Sequence, residues 1–280
     1  MHLEQGDKRF IGACVLLCVG FSLIGWFVWG PITSVVLLGL VMGILLTGQI
    51  ESYRRSQLQY RHVQSLFSIF SLLKINAPLL LMAGWAIPPD FAATIISLIF
   101  EHKPRRVLEL GSGTSTLITA YAIKAMGGGM VTSLEQKKQF AEQSLQNVRK
   151  HGLQDVATVI YAPMREVTLR GKTWLWYDTE PLREMRGIDM VIVDGPTQVG
   201  RQKLPRYPAL PVLMHALSER TVVLVDDASR ADVKQMVELW RKEFADFEYE
   251  LLDTEQGAVI FRRRTNAAAP VEVKPEFIRG

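Results

Sequence analysis

Two adjacent carboxylates, Asp226 and Asp227, end the apolar run in "TVVLVDDASR", residues 221–230. A third, Asp194, ends a similar run in "VIVDGP". If both runs are neighbouring buried strands, their ends lie about 4.8 Å apart. Three uncompensated carboxylates that close repel one another. A hard divalent cation such as Mg2+ relieves the repulsion, since it takes a few carboxylates plus waters as ligands. The competing reading makes Asp226 or Asp227 a cap of the next helix, or a partner of Arg230.

A second group surrounds "VLELGSGTST". Gly111 and Gly113 let the backbone turn tightly and come close to a ligand between a strand and a helix. The helix start offers free N–H groups to an anion. A dinucleotide site would continue to a third glycine, but Thr116 stands there, which disfavours a dinucleotide-dependent oxidoreductase. Glu109 precedes the loop on the strand end. Glu135 closes the next strand, where an acid can accept hydrogen bonds from two ribose hydroxyls.

The elements that must hold these groups follow from periodicity. From Arg106 onward, short β-branched runs ("RVLEL", "GGGMVTSLE", "VATVIYA", "IDMVIVD", "TVVLVD") alternate with helical patterns such as "TSTLITAYAIKA" and "QKKQFAEQSLQNVRK". Such alternation predicts a mostly parallel sheet covered on both faces. "FEYELLDTEQGAVIFRRR" holds two strand-like runs with only a Gly-containing turn between them, which predicts a terminal antiparallel hairpin. Asp90 stands where it can cap "FAATIISLIFEH".

The N-terminal part is of another kind. Phe10 to Ile50 holds no Lys, Arg, Asp or Glu. One helix of that length would measure about 60 Å, twice the hydrocarbon core of a bilayer. Gly30-Pro31 is a turn signal in its middle, so two spans, 11–29 and 32–49, are expected as a transmembrane hairpin. The run is too long for a cleaved signal peptide and has no clear cleavage site. Lys8 and Arg9 precede it and Arg54, Arg55 and Arg61 follow it, so both ends should face the cytoplasm, on a bacterial-type inner membrane. The expected organisation is a cytoplasmic N-terminus (1–9), the hairpin (10–50), a helical linker and connector (51–84), a catalytic domain (85–264) and a flexible tail (265–280).

The loop, its two acids and the terminal hairpin together resemble class I S-adenosylmethionine-dependent methyltransferases. The resemblance implies a Rossmann-like α/β sheet, here preceded by two transmembrane helices. It also implies that Glu109, Gly111, Ser112, Gly113, Thr114 and Ser115 hold the methionine end of the cofactor. Glu135 would bind the ribose, and Ala162 and Pro163 in "YAPM" would lie near the adenine. The acids ending the fourth and fifth strands resemble those of metal-dependent O-methyltransferases. That likeness implies that Asp194, Asp226 and Asp227 hold a divalent ion, which lowers the pKa of the acceptor oxygen. The catechol type has Asn where Asp227 stands, and a lysine close after the fourth-strand acid that "DGPTQ" lacks.

Arg201, Arg206 and Tyr207 in "GPTQVGRQKLPRYPALP" are candidates for an anionic or sugar substrate. "WLWYD", His215 and Trp85 read as packing groups. Cys14 and Cys18 lie on one helical face and read as apolar packing. No Cys/His cluster suggests zinc. A formal charge of +4 suits a protein beside anionic lipid and is too weak for nucleic acid. The expected acceptor is a small molecule, a glycan or a lipid-linked group. A rival reading, a silent cofactor-binding module in a membrane complex, conflicts with the intact acids.

Overall fold

The computed structural model describes residues 30–80, 82, 86–198, 200 and 202–264, together with 16, 19–20 and 23–26. Lys8, Arg9, Cys14, Cys18, Trp85, Arg201 and the tail 265–280 lie outside the described residues, as does most of the expected first span. The chain forms two compact units, 1–61 and 62–280.

In the first unit, Gly30 has a left-handed φ of 87° and Pro31 opens helix α1, Pro31–Leu72. A proline at the first helical position suits that start, since its missing N–H would have had no partner there. The composition changes at Glu51, yet the helix does not stop. No glycine or proline lies between Gly48 and Leu72, so nothing breaks the backbone ladder. Among the described residues this is the one helix long and apolar enough to cross a membrane, and none of its apolar window is buried.

The second unit is built on a seven-stranded sheet of order β3-β2-β1-β6-β7-β9-β8. The strands are β1 (Arg106–Leu110), β2 (Met130–Glu135), β3 (Ala157–Tyr161), β6 (Ile188–Val193), β7 (Leu217–Val225), β8 (Phe247–Leu252) and β9 (Ala258–Arg263). β1, β2, β3, β6 and β7 run parallel, and β9 is antiparallel to both β7 and β8. The sheet and its terminal hairpin are thus as the sequence pattern predicts. β4 (Met164–Leu169) and β5 (Lys172–Tyr177) form a separate antiparallel pair.

Alternation along the strands feeds two cores. Val107, Ile192 and Leu224 face helices α2 (Pro89–His102) and α3 (Thr114–Ala125), with Phe91, Ile95 and Leu117 in that layer. Leu108, Val193 and Val225 face the other layer, with Trp176, Trp240 and Phe261. That layer includes the β4–β5 pair, the short helix α5 (Ala209–Leu213) and helix α6 (Ala231–Glu243), while α4 (Lys138–Lys150) packs along β2 and β3. Strands buried on both faces carry near-continuous apolar residues, so the polar group that ends each one stands out.

α2 starts two residues earlier than the sequence suggests, with Pro88 at the cap. Asp90 does not cap it. Its Oδ1 accepts from the N–H of Phe91 at 2.9 Å and its Oδ2 from the N–H of Glu255 at 2.7 Å, tying α2 to the β8–β9 turn.

Candidate active site

The chain winds outward in both directions from β1, to β2 and β3 on one side and to β6 and β7 on the other. Ligands of open α/β sheets bind where that reversal occurs, beyond the carboxyl ends of the strands. A cavity of about 730 Å³ opens there. Its walls include Gly111 and Ser112 after β1, Glu135 ending β2, and Asp194 and Gly195 after β6. Asp226 and Asp227 after β7 complete that rim.

The glycine loop is held from below. Glu109 is fully buried and accepts hydrogen bonds from the hydroxyls of Thr116 and Ser133. Thr116 Oγ1 also accepts from the Gly113 N–H at 3.2 Å, which fixes the start of α3. Burial pushes the Glu109 carboxyl up to about 7, against the pull of the Ser115, Ser133 and Thr116 hydroxyls. Gly111 has a φ of 112°, and a Cβ there would come within 3.5 Å of the Gly195 nitrogen, so the loop needs glycine for conformation. Glu135 accepts from Ser112 Oγ at 3.1 Å and from the Lys137 N–H at 3.0 Å. Phe140, with the Lys137 ammonium 5.1 Å from its ring centre, extends that wall.

The opposite wall is charged. Arg206 Nη2 donates to Asp194 Oδ1 at 3.2 Å and to Asp227 Oδ2 at 2.7 Å, and its Nη1 donates to the Asp226 carbonyl at 2.9 Å. Arg230 Nη1 reaches Asp227 Oδ2 at 3.1 Å. Asp227 adopts a left-handed φ of 61°, held by its own N–H donating to Asp226 Oδ1 at 2.8 Å. Burial, then the charge of Asp194, pushes the Asp226 carboxyl up to about 8. Burial also raises Asp194, while Arg206 opposes the rise. Tyr177 closes this end beside Gly195. Burial, then the charges of Glu135 and Asp194, raises its phenol well above the ordinary value, so it is a neutral group.

Residues 108–228, from β1 to the end of the Asp226-Asp227 segment, match the family model of a methyltransferase domain. The chain carries a methyltransferase domain. An O-methyltransferase from Bacillus cereus in complex with S-adenosylhomocysteine has the same fold, with a TM-score of 0.51 and 16% identity over 73% of this chain and 91% of that one. A methyltransferase from Podospora anserina bound to S-adenosylhomocysteine matches with a TM-score of 0.53 and 15% identity, covering 79% and 96%. The O-methyltransferase TomG from Streptomyces achromogenes, in complex with S-adenosylmethionine, matches with a TM-score of 0.50 and 17% identity, covering 65% and 82%. At such identities the likeness is one of fold. No curated protein matches the sequence.

Within the methyltransferase domain the sequence-derived candidates divide. Gly111, Ser112, Glu135, Asp194, Arg206, Asp226 and Asp227 line the cavity. Glu109, Gly113, Thr114, Ser115, Ala162 and Pro163 lie outside its lining: Glu109 supports the loop, and the Ala162 N–H donates to the Glu135 carbonyl at 2.9 Å. Tyr207 is turned away from it. Its hydroxyl donates to Glu243 at 2.7 Å and its ring stacks on Trp174 with centres 4.7 Å apart, so it is a packing group and no substrate contact. Arg201 lies outside the described residues. Sequence reasoning missed Tyr177, Phe140, Lys137 and Arg230 as cavity walls. Only the aromatic cluster "WLWYD" hinted at the first.

The metal reading needs correction. Three carboxylates do gather at the strand ends, but no group of three His, Cys, Asp or Glu side chains suited to a metal occurs among the described residues. The repulsion that a cation was expected to relieve is relieved by Arg206 and Arg230. An Mg2+ ion sits about 2.0–2.1 Å from its oxygens, and the space between Asp194 and Asp227 is filled by a guanidinium nitrogen. With that nitrogen in place, the site as it stands does not fit the ion.

Proposed function

We propose that this chain is an S-adenosylmethionine-dependent O-methyltransferase attached to a membrane through its apolar N-terminal segment. The observation that carries the cofactor reading is the convergence of the Gly111–Ser112 loop, Glu135 and Asp194 on one cavity at the sheet's reversal point. The volume lies in the range of small-molecule sites. Glu135 offers a carboxylate at the end of β2 for ribose hydroxyls, and Phe140 offers an apolar face beside it. S-adenosylhomocysteine or S-adenosylmethionine occupies three structures of the same fold.

The cofactor, when bound, supplies an electrophilic methyl group on a sulfonium. Gly111, Ser112 and Glu135 would hold the cofactor, and Asp194, on the same cavity wall, would accept the proton that an acceptor hydroxyl gives up as its oxygen takes the methyl group. A buried carboxylate with a raised pKa is the better base for that proton. The protein's main contribution is alignment of the two reactants. Tyr177 and Gly195 shape the wall on the acceptor side and restrict water there.

Membrane attachment is supported by α1, whose apolar window has no buried part, and by the uncharged run from Phe10 to Ile50. A hairpin with both ends cytoplasmic fits the placement of basic residues. The acceptor would then be a small molecule, glycan or lipid-linked group within reach of the bilayer.

The test is calorimetry on the full chain in mild detergent. S-adenosylmethionine and S-adenosylhomocysteine should bind, NAD should not, and Glu135→Ala should weaken both cofactors. A folded chain that binds neither would remove the enzyme reading. Fractionation with alkaline extraction tests the anchor: release of the chain into the soluble fraction would refute it.

A further inference from the structure

One nitrogen of Arg206 lies between carboxylates from two different strand ends, 3.2 Å from Asp194 Oδ1 and 2.7 Å from Asp227 Oδ2. A cation bridging those oxygens at metal-ligand distance would have to stand where that nitrogen stands. The arginine is held in place on every side. Its side chain is 6% exposed. Its other terminal nitrogen is bonded to the Asp226 carbonyl. The next residue, Tyr207, is clamped between Trp174 and Glu243. Upstream, Gln202 exchanges two hydrogen bonds with the backbone of Leu175, at 2.6 and 3.0 Å, which fastens the chain just before Arg206 to β5. A guanidinium keeps its charge at any working pH and matches carboxylates with a rigid fork. Expelling it would leave a buried cation without partners.

We infer that Arg206 is a built-in cation: it occupies the place a divalent ion would need between the ends of β6 and β7, and it positions Asp194 toward the acceptor without any metal. The inference rests on the methyl-transfer reading of this cavity. It also narrows the acceptor. A metal ion binds two substrate oxygens at once, whereas Arg206 spends its inward donors on the protein's own carboxylates. One hydroxyl hydrogen-bonded to Asp194 is then enough, and a chelating pair of adjacent oxygens is not required. Arg206 is a positioning residue here, and Asp194 is the group that meets the acceptor.

The experiment is a Mn2+ titration of the full chain in detergent, read by calorimetry and by the electron paramagnetic resonance signal of free Mn2+. Wild type, with S-adenosylmethionine present, should show no stoichiometric site up to about 1 mM. Arg206→Ala should open the carboxylates and gain one Mn2+ per chain. Arg206→Ala combined with Asp194→Asn should lose it again, and Arg206→Lys should not gain it. A merely structural arginine would give no such gain. A wild-type Mn2+ site that Asp194→Asn abolishes overturns the inference, and this arm needs no Arg206 variant to fold. A folded Arg206→Ala protein with unchanged cofactor affinity and no Mn2+ site overturns it as well. Failure of cofactor binding in wild type would sink the methyl-transfer reading separately, because Mn2+ occupancy is read without turnover.

Discussion

Replacing Asp226 by Asn should make the fold more stable at alkaline pH and leave it nearly unchanged in acid. Asp226 is 2% exposed, and its carboxyl is pushed up to about 8 from an ordinary 3.8 by burial and by the charge of Asp194. A carboxyl raised on folding penalises the charged form in the native state. Its contribution is therefore intact below about pH 4, is lost progressively as pH rises toward 8, and stays lost above that. Each unit corresponds to about 1.4 kcal/mol, so a rise of about four units bounds the loss at about 5–6 kcal/mol. Asn keeps the Oδ1 acceptor that the Asp227 N–H uses. Urea unfolding, followed by the fluorescence of buried Trp174, Trp176 and Trp240, measures the difference at pH 4.5 and pH 8.5. The variant should match wild type within about 1 kcal/mol at the lower pH and exceed it by about 2–5 kcal/mol at the higher. Glu109, raised to about 7, titrates in both proteins and drops out of the comparison. Parallel pH curves, or an Asn variant less stable at pH 8.5, would refute the reasoning.

Three further outcomes are expected. Glu135→Ala should weaken S-adenosylmethionine binding by about 10–100-fold, the worth of a charge-assisted hydrogen bond, with little change in melting temperature. Gly195→Ala should destabilise the fold by about 1–3 kcal/mol, because the new methyl group meets the Tyr177 hydroxyl and stands 3.2 Å from the Leu110 carbonyl oxygen; urea midpoints report it. Trp174→Ala should cost about 3–5 kcal/mol by emptying the stack on Tyr207, and it should also loosen the Arg206 loop, seen as faster hydrogen exchange at 202–208.

The middle of the sheet was legible because β1, β6 and the second half of β7 are buried on both faces, and β6 and β7 run straight into an acid, as in Val193-Asp194 and Val225-Asp226. Glu135 was legible for the same reason. β4 was not: "MREVTL" has no fully buried residue and sets Arg165 beside Glu166, so no period-2 apolar pattern marks it as a strand. The positions of the three aspartates followed from strand ends, but their company did not. Arg206 reaches Asp194 across 12 residues and Asp227 across 21, through a loop whose path depends on Gln202 meeting Leu175 and Tyr207 meeting Trp174. Periodicity carries no information about such a loop. Charge balance alone could have favoured arginine, since "GRQKLPRY" and Arg230 both supply cations near the aspartates, but it could not place the one from the loop. Helical character on both sides of Glu51 was legible, from the uncharged span before it and from the lack of Gly and Pro after it. That the two stretches form one unbroken helix was not, because the change of composition there suggests a boundary that backbone geometry does not require.

That helix has a practical consequence for anyone dissecting the chain. Its polar switch invites a cut, yet Ile69 and Leu73, at its end, are 0% and 3% exposed among Ile87, Phe91 and Ile95. A soluble fragment begun after residue 75 would forfeit both side chains, at about 2–5 kcal/mol each, a large share of what holds a domain together. It would also bare the aliphatic surface they cover. The point where hydropathy falls and the point where the fold can be severed are thus separated by several helical turns. A fragment meant to fold alone must carry those turns with it, along with Phe67 and Phe70, which are 72% and 57% exposed and will make it prone to self-association.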